Sequence, residues 1–373
     1  MIVGLLVQTA LAQTFTADEA VLTASSVNSG GAWSSVTSDT ITTVGSPALF
    51  RDETAGLTLM FYETQIGGTT TACPAGEWGI GLAYFQTSIF GGGNWIDVGP
   101  ILTPSAGSYY SCVVAHPTVV TLGDPINRQW VVYFKAELDP AACTPNSDYA
   151  CDRYPGFGRF IFEYNPVGPT TNGGTVGNYA YTAPDASPVL EGLADQSGYP
   201  SAVFADGNYR IAYAVNPDVY FTEGPFTSGL GPTTDFPTPK AAGIVYTDAT
   251  GWADDELFAP SLTCSGTSAG GDLAYELFTG GRTFLVYPDI ADSSLGRFDS
   301  TDYATWAEGA GVPLASVSNG DREIRHLDAH TSGSAGYGMF YSTPRGGAVK
   351  GNDIRLLRNA AFQQGSINAK RCP

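Results

Sequence analysis

Apolar residues along this chain fall in short runs broken by Gly, Pro, Asn and Asp, the rhythm of β-strands and tight turns rather than of helices. Five of these runs share one pattern. Each opens on a residue that leads into an apolar strand, four of them through a proline: Ser46 in GSPALF, His116 in AHPTVV, Tyr199 in GYPSAVF, Ala259 in FAPSLT, and His326 in IRHLDAH, where Leu327 replaces the proline. A turn and a second strand follow, ending on an aromatic residue: Tyr62, Phe134, Tyr213, Tyr275 and Tyr341. After several of these come a third strand and a closing phrase, as in WGIGLAYFQTS with NWIDVGPIL and SLGRFDSTDYATW with GVPL.

The opening positions lie 70, 83, 60 and 67 residues apart, above the ~40 to 50 residues of common propeller repeats, and the surplus is assigned to loops. Four short antiparallel strands per repeat, five times over, predict an all-β, five-bladed β-propeller. The stretch SGGAWSSVTSDTITTV before the first repeat is expected to supply the final strand of the last blade and close the ring. The competing arrangement of the same strands is a β-sandwich. A closed ring does not divide into independent halves, so residues 13–373 are expected to form a single domain.

Composition narrows the partners. Lys plus Arg number 17 against 36 Asp plus Glu, a net charge of −19 that repels nucleic acid and anionic lipid and leaves neutral or cationic partners. With 46 Gly, 24 Pro, 20 Tyr and 19 Phe, the chain is supplied for turns and pleated surfaces. Residues 1–12, MIVGLLVQTALA, form a short apolar segment ending small-x-small and are expected to be a signal peptide, although no basic residue precedes them. No other apolar stretch is long enough to span a membrane. Six cysteines without a CxxC pair fit disulfides in an oxidising compartment. Proximity pairs Cys143 with Cys151, leaving Cys73 with Cys112 and Cys264 with Cys372 as the economical remainder among 15 connectivities. The absence of an Asn-x-Ser/Thr sequon favours a bacterial source.

The phrase order, clearest in SLGRFDSTDYATWAEGAGVPL and echoed in NWIDVGPIL and FEYNPVGP, resembles the five-bladed propellers of the arabinanase, levansucrase and invertase superfamily of glycoside hydrolases. The resemblance spans nearly the whole chain after the leader, and its motifs define blades rather than chemistry. It implies an active site in a funnel at one end of the propeller axis, with three carboxylates at the openings of blades one, two and three. This sequence departs from that pattern at each place, with Ser46, His116, and Gly198 and Tyr199 where the carboxylates are expected.

With the blades so aligned, Ser46, His116, Tyr199, Ala259 and His326 line the mouth, and two of the three histidines face each other. Regular alternation puts His326, Asp328 and His330 on one face. At ~3.3 Å per residue, His326 and His330 stand ~13 Å apart and cannot grip one ion together, whereas His326 with Asp328, or His326 with His116, can. The resemblance implies an axial ion or water near His326, with calcium or another structural cation as the candidate and no cofactor required. The plain alternative for His-x-Asp-x-His is a hydrogen-bonded polar plug in which Asp328 fixes the imidazole tautomers.

Residues just after the second-strand aromatics form a second ring: Glu63, Lys135, Ala214, Glu276 and Ser342, with Glu137 one step farther out. Asp328, Glu63 and Glu276 are therefore the expected catalytic carboxylates, since glycoside hydrolysis needs one carboxyl protonated and another ionised. Exposed strand-end carboxylates in an acidic protein are the plain alternative, and Asp195 and Glu256 are further loop candidates. His116, Tyr199 and His330 are expected to bind substrate. Tyr110 and Tyr154, with Tyr109 and Phe157 beside them, could stack on sugar or cap the structure. Phosphate-loop, dinucleotide and HExxH motifs are absent. The expectation is an exported, secreted or periplasmic, monomeric, carbohydrate-active propeller of the glycoside hydrolase type, acting on a poly- or oligosaccharide in an axial funnel. The rivals are a glycan-binding propeller that has lost its acids and a metal-dependent hydrolase or lyase on the same scaffold.

Overall fold

A computed structural model describes residues 17–38, 40–87, 93–122, 127–141, 154–165, 174–191, 197–215, 217–225, 243–245, 248–265, 274–286, 289–309, 312–318, 325–332, 336–344 and 352–367. The signal-peptide expectation and the Cys143–Cys151 pairing fall outside these residues. Among the described residues, no helix is long and apolar enough to cross a membrane.

The chain opens with β1 (Ala17–Leu22) and α1 (Ala24–Gly30) and then forms five antiparallel runs of strands. The first run is β2 (Val44–Asp52), β3 (Leu57–Gly67), β4 (Glu77–Thr87) and β5 (Gly93–Leu102). The second is β6 (Val113–Thr121), β7 (Gln129–Glu137) and β8 (Gly156–Tyr164), with the short β9 (Gly174–Val176), β10 (Tyr179–Tyr181) and β11 (Leu190–Glu191) beyond. The third is β12 (Ser197–Ala205), β13 (Asn208–Val215) and β14 (Asp218–Pro225). The fourth is β15 (Glu256–Ser265), β16 (Ala274–Val286) and β17 (Asp289–Ser300), edged by β18 (Ala307–Glu308) and β19 (Ala315–Ser318). The fifth is β20 (Arg325–Ser332), β21 (Gly336–Pro344) and β22 (Asn352–Arg358), with β1 on its outer edge.

Among the described residues, four full strands per repeat hold for the first and fifth runs only. In the second and fourth runs the outer position is divided between short pieces, and in the third, among the described residues, only Ile244 bridges β14, at Val219. The terminal strand also comes from a different place than expected. Residues 29–44 do not supply it: β1 does, while Thr23 and Ser26 cap each other's backbone to start α1 and Gly31, at φ 65°, ends it. Trp33, in the turn that follows, anchors that segment by donating its indole N–H to the Tyr62 hydroxyl at 2.8 Å.

Apolar residues on both faces of the strands explain their near-continuous hydrophobic runs. Phe50, Leu59 and Phe61 pack on Val132, Phe134 and Phe162 of the second run, whereas Leu49, Met60 and Tyr62 pack on Phe340, Ile354 and Leu356 of the fifth. Further cores join the second run to the third, the third to the fourth and the fourth to the fifth. Each run thus shares a buried core with two others.

The innermost strands are also stitched to one another. Ala202 N–H donates to Thr118 Oγ1 at 3.1 Å, Leu262 N–H to Ser201 Oγ at 2.8 Å, Ala329 N–H to Ser261 Oγ at 2.8 Å, and Leu49 N–H to Asp328 Oδ2 at 2.5 Å. In each case the acceptor lies two residues past an opening position and the donor three residues past the next. At the fifth equivalent place the side chain is Ala48, which has no acceptor to offer to Val119 N–H.

Candidate functional site

Ser46, His116, Tyr199, Ala259 and His326 adopt left-handed backbone, with φ of 45°, 49°, 57°, 48° and 50°. At each, the ladder skips so that the opening residue and its successor face a single residue of the second strand, a β-bulge: Gly45 pairs Glu63 and Ala48 pairs Phe61, and the other four runs repeat this. The bulge re-aims the opening side chains toward one another. His116 stacks on Tyr199 at 4.2 Å between centroids, and His326 lies 4.8 Å from each. The three rings nearly fill the mouth, where only about 20 Å³ remains open.

The useful space lies to one side, toward the first and second runs. A cavity of about 230 Å³ is lined by Glu63, Trp78, His116, Lys135, Glu137, Tyr199 and His326, with Ala75, Val113 and Ala115 completing its wall. The Cys73–Cys112 disulfide, expected from the sequence, packs beneath Trp78 with Val113 and Ala115. Cys264 is also disulfide-bonded, and the Cys372 proposed for it lies outside the described residues.

Glu63 is the hub. It is 2 % exposed and accepts the His116 backbone N–H at 2.8 Å, while its other oxygen is 3.2 Å from His326 Nδ1. Ser342 Oγ lies 2.9 Å from the same nitrogen. Tyr199 N–H donates to His116 Nδ1 at 3.2 Å, so a neutral His116 carries its proton on Nε2, 3.8 Å from Glu63. Burial, then the neighbouring His326 and Lys135, hold the His116 imidazole well below its usual basicity. Lys135 Nζ sits 3.1 Å from Glu137 and 5.5 Å from the centre of the Tyr154 ring.

Ligand atoms of Glu63, His116 and His326 come within 4.8 Å of one another, the His326 with His116 combination foreseen from spacing, with a carboxylate added. Two nitrogens and one carboxylate suit a borderline cation such as zinc, whereas calcium takes six to eight oxygens. The proton on His116 Nε2 is also the reverse of the arrangement in which a ligating imidazole gives its N–H to an outer partner.

The other expected site residues lie elsewhere. Asp328 is buried and occupied by Leu49 N–H of the first run and by His330 Nε2 of its own strand at 2.8 Å, and neither Asp328 nor His330 lines the cavity. The bulge at His326 breaks the alternation that would have aligned all three. Glu276 is displaced by four residues: it pairs Thr263, and the residue level with Glu63 and Lys135 is Gly280, paired with Phe258. Thr279 holds the place that the other runs give to an aromatic, so matching on Tyr275 shifts the alignment. Glu256 pairs its carboxylate with Arg282. Tyr110 rests on Tyr109 and Phe134, and Phe157 packs in the core, away from the cavity. Asp195 lies outside the described residues. Trp78 was missed, because a tryptophan within an apolar strand carries no distinguishing signal.

Solved structures share the fold. An arabinanase of Cellvibrio cellulosa complexed with arabinohexaose superposes with a TM-score of 0.53 at 12 % identity, over 88 % of this chain and 95 % of that one. An endo-arabinase of Bacteroides thetaiotaomicron gives 0.51 at 10 %, over 86 % and 95 %. The fold is that of the β-propeller glycoside hydrolases. A fructofuranosidase of Schwanniomyces occidentalis complexed with fructosylnystose gives 0.51 at 11 %, over 89 % of this propeller, which spans 60 % of that enzyme. No family model matches the sequence, and no curated protein does.

Proposed function

We propose that this chain is a secreted, monomeric, five-bladed propeller, closed by β1, that binds one residue of a neutral poly- or oligosaccharide in the cavity beside Glu63. The convergence of Glu63, Trp78, Lys135 and Glu137 on one cavity next to the stacked His116, Tyr199 and His326 carries this reading. At about 230 Å³ it falls below the ~300 to 1,000 Å³ of sites for drug-sized ligands, a size for one sugar ring rather than a chain. Trp78 offers an apolar face, Lys135 and His116 offer donors, and Glu63 and Glu137 offer acceptors, the mixture that holds a ring bearing hydroxyls. The similarity to hydrolases complexed with arabinohexaose and fructosylnystose favours the same ligand class.

Hydrolysis is the second reading, favoured by two carboxylates on one cavity. It needs one carboxyl that gives a proton. Here Glu63 is engaged by N–H donors and Glu137 by the Lys135 ammonium, which favours holding the sugar over cleaving it. A panel of neutral oligosaccharides, followed by calorimetry and by product analysis on the same samples, separates the two. Binding without released sugar, abolished by Trp78→Ala, is the expected result; turnover that survives in purified protein and disappears in Glu63→Gln would establish the hydrolase, and no binding to any sugar would end both.

A further inference from the structure

A second cavity, of about 570 Å³, opens at the other end of the fourth run, beside β17 and the turn that follows it. Glu276 on its wall pairs with Thr263, four residues beyond Ala259, and so stands ~13 Å along the strand from the mouth. Directly across the ladder from Glu276 is Asp299, which places the two carboxyls on one face with Cβ atoms ~4.5 to 5.5 Å apart. Arg297 reaches both, with Nη1 3.5 Å from Glu276 and Nε 3.1 Å from Asp299. Glu276 is 8 % exposed, and its Oε2 is enclosed with no hydrogen-bond partner among the described residues. Such an acceptor is costly to leave unmatched.

We propose that this cavity is a second carbohydrate-binding site, in which the Glu276 and Asp299 carboxyls, held in place by Arg297, take hydroxyls of a neutral sugar. The donor set excludes the other ligand classes in turn. An anion would meet two carboxylates. A metal cation would meet the Arg297 guanidinium, already within ion-pair distance of both, and would leave most of the volume unfilled. A polyhydroxylic ligand meets acceptors on Glu276 and Asp299 and hydroxyls on Thr301 and Thr305, whereas the Ser300 hydroxyl is taken by the Asp302 carboxylate and the N–H groups of Asp302 and Tyr303. One oxygen of Asp302, Oδ1, is committed to the turn, where it accepts the N–H groups of Ala304 and Thr305 at 2.9 and 2.7 Å. Burial, and then the charge of Asp299, push the Glu276 carboxyl up to about 7, against the pull of Arg297, so that near neutrality it can also donate. The choice of a sugar over another neutral polyol rests on the reading of the Glu63 cavity.

Calorimetric titration of the whole chain with neutral oligosaccharides of arabinose, galactose, glucose and xylose tests this, using wild type, Glu276→Gln, Asp299→Asn and Trp78→Ala, each checked for native circular dichroism. The expected result is two sites in the wild type, one weakened at least tenfold by either carboxyl substitution and the other by Trp78→Ala. If Trp78→Ala changes nothing while Glu276→Gln still removes a site, the Glu63 reading fails and this one stands. The proposal is overturned if neither Glu276→Gln nor Asp299→Asn alters sugar binding, or if no sugar binds. It is equally overturned if calcium or magnesium raises the melting midpoint of the wild type but not of Glu276→Gln, which would make the cavity a cation site.

Discussion

Replacing Asp328 separates a stitch from a catalyst. In Asp328→Ala, the Leu49 N–H loses its acceptor at a residue only 1 % exposed, and His330 loses its carboxylate neighbour. Leaving a buried N–H unmatched costs about 1 to 3 kcal/mol, and a hydrogen bond to a charged group contributes about 1.5 to 3 kcal/mol, so the combined loss is about 2.5 to 6 kcal/mol. For 373 residues, the entropy of unfolding makes 1 kcal/mol worth about 1.3 °C, which predicts a fall in the melting midpoint of about 3 to 8 °C. Ser261→Ala removes only a neutral acceptor, the one for Ala329 N–H, and is expected to lose about 1 to 3 kcal/mol, or about 1 to 4 °C. Asp328→Asn keeps an oxygen for Leu49 and can turn its amide toward His330, so it should recover more than half of the loss. Differential scanning calorimetry of the three variants decides the matter. If Asp328→Ala melts within 1 °C of wild type, on the same ~1.3 °C per kcal/mol scale, the stitching argument is wrong. If it melts normally and loses sugar turnover, the carboxylate is chemical after all.

Three further expectations follow from the same geometry. Ala48→Ser should complete the set of stitches by offering Val119 N–H an acceptor and add about 1 kcal/mol; an unchanged or lower midpoint would show that the fifth place is closed to a hydroxyl. The Glu276 carboxyl rises from an ordinary 4.5 to about 7 on folding, so the native state binds the extra proton in that window and stability falls as pH rises through it, by about 3 kcal/mol in all. With Asp299 and Arg297 the charged groups facing it, Glu276→Gln should flatten the pH dependence of denaturant midpoints between about 4.5 and 7, and a variant with the wild-type slope would assign that slope elsewhere. Ala259→Gly should be neutral or stabilising by about 0.5 kcal/mol, since glycine relieves a left-handed φ of 48° at some entropic loss, whereas Ala202→Gly in an ordinary strand position should destabilise; equal losses would remove the argument from φ.

The five opening positions were legible from the sequence because an apolar strand entered through a proline recurs at four matching places and the fifth strand aligns with them, and all five adopt the same backbone. Pairing of His116 with His326 followed from that register. Asp328 was misplaced because strand alternation cannot register a bulge, and because a carboxylate accepting a backbone N–H from a neighbouring sheet leaves no local mark. Glu276 was misplaced for a simpler reason: Thr279 stands where an aromatic was sought. The Glu63 cavity lies beside the opening residues because three of their rings stack on one another and fill the space between them, and packing among side chains from three separate runs is invisible along one chain. Trp78 gains its role from the fold of the Cys73–Cys112 segment, a matter of three dimensions only.

Five unrelated side chains, those of Ser46, His116, Tyr199, Ala259 and His326, are held in one backbone pose. The bulge and the flanking ladder set the pose, and the side chain has no part in it. Position and identity are therefore uncoupled at these places: each is a socket whose orientation is fixed in advance and whose reagent can be exchanged. A scaffold of that kind can be refitted for new chemistry one substitution at a time, without being asked to fold differently.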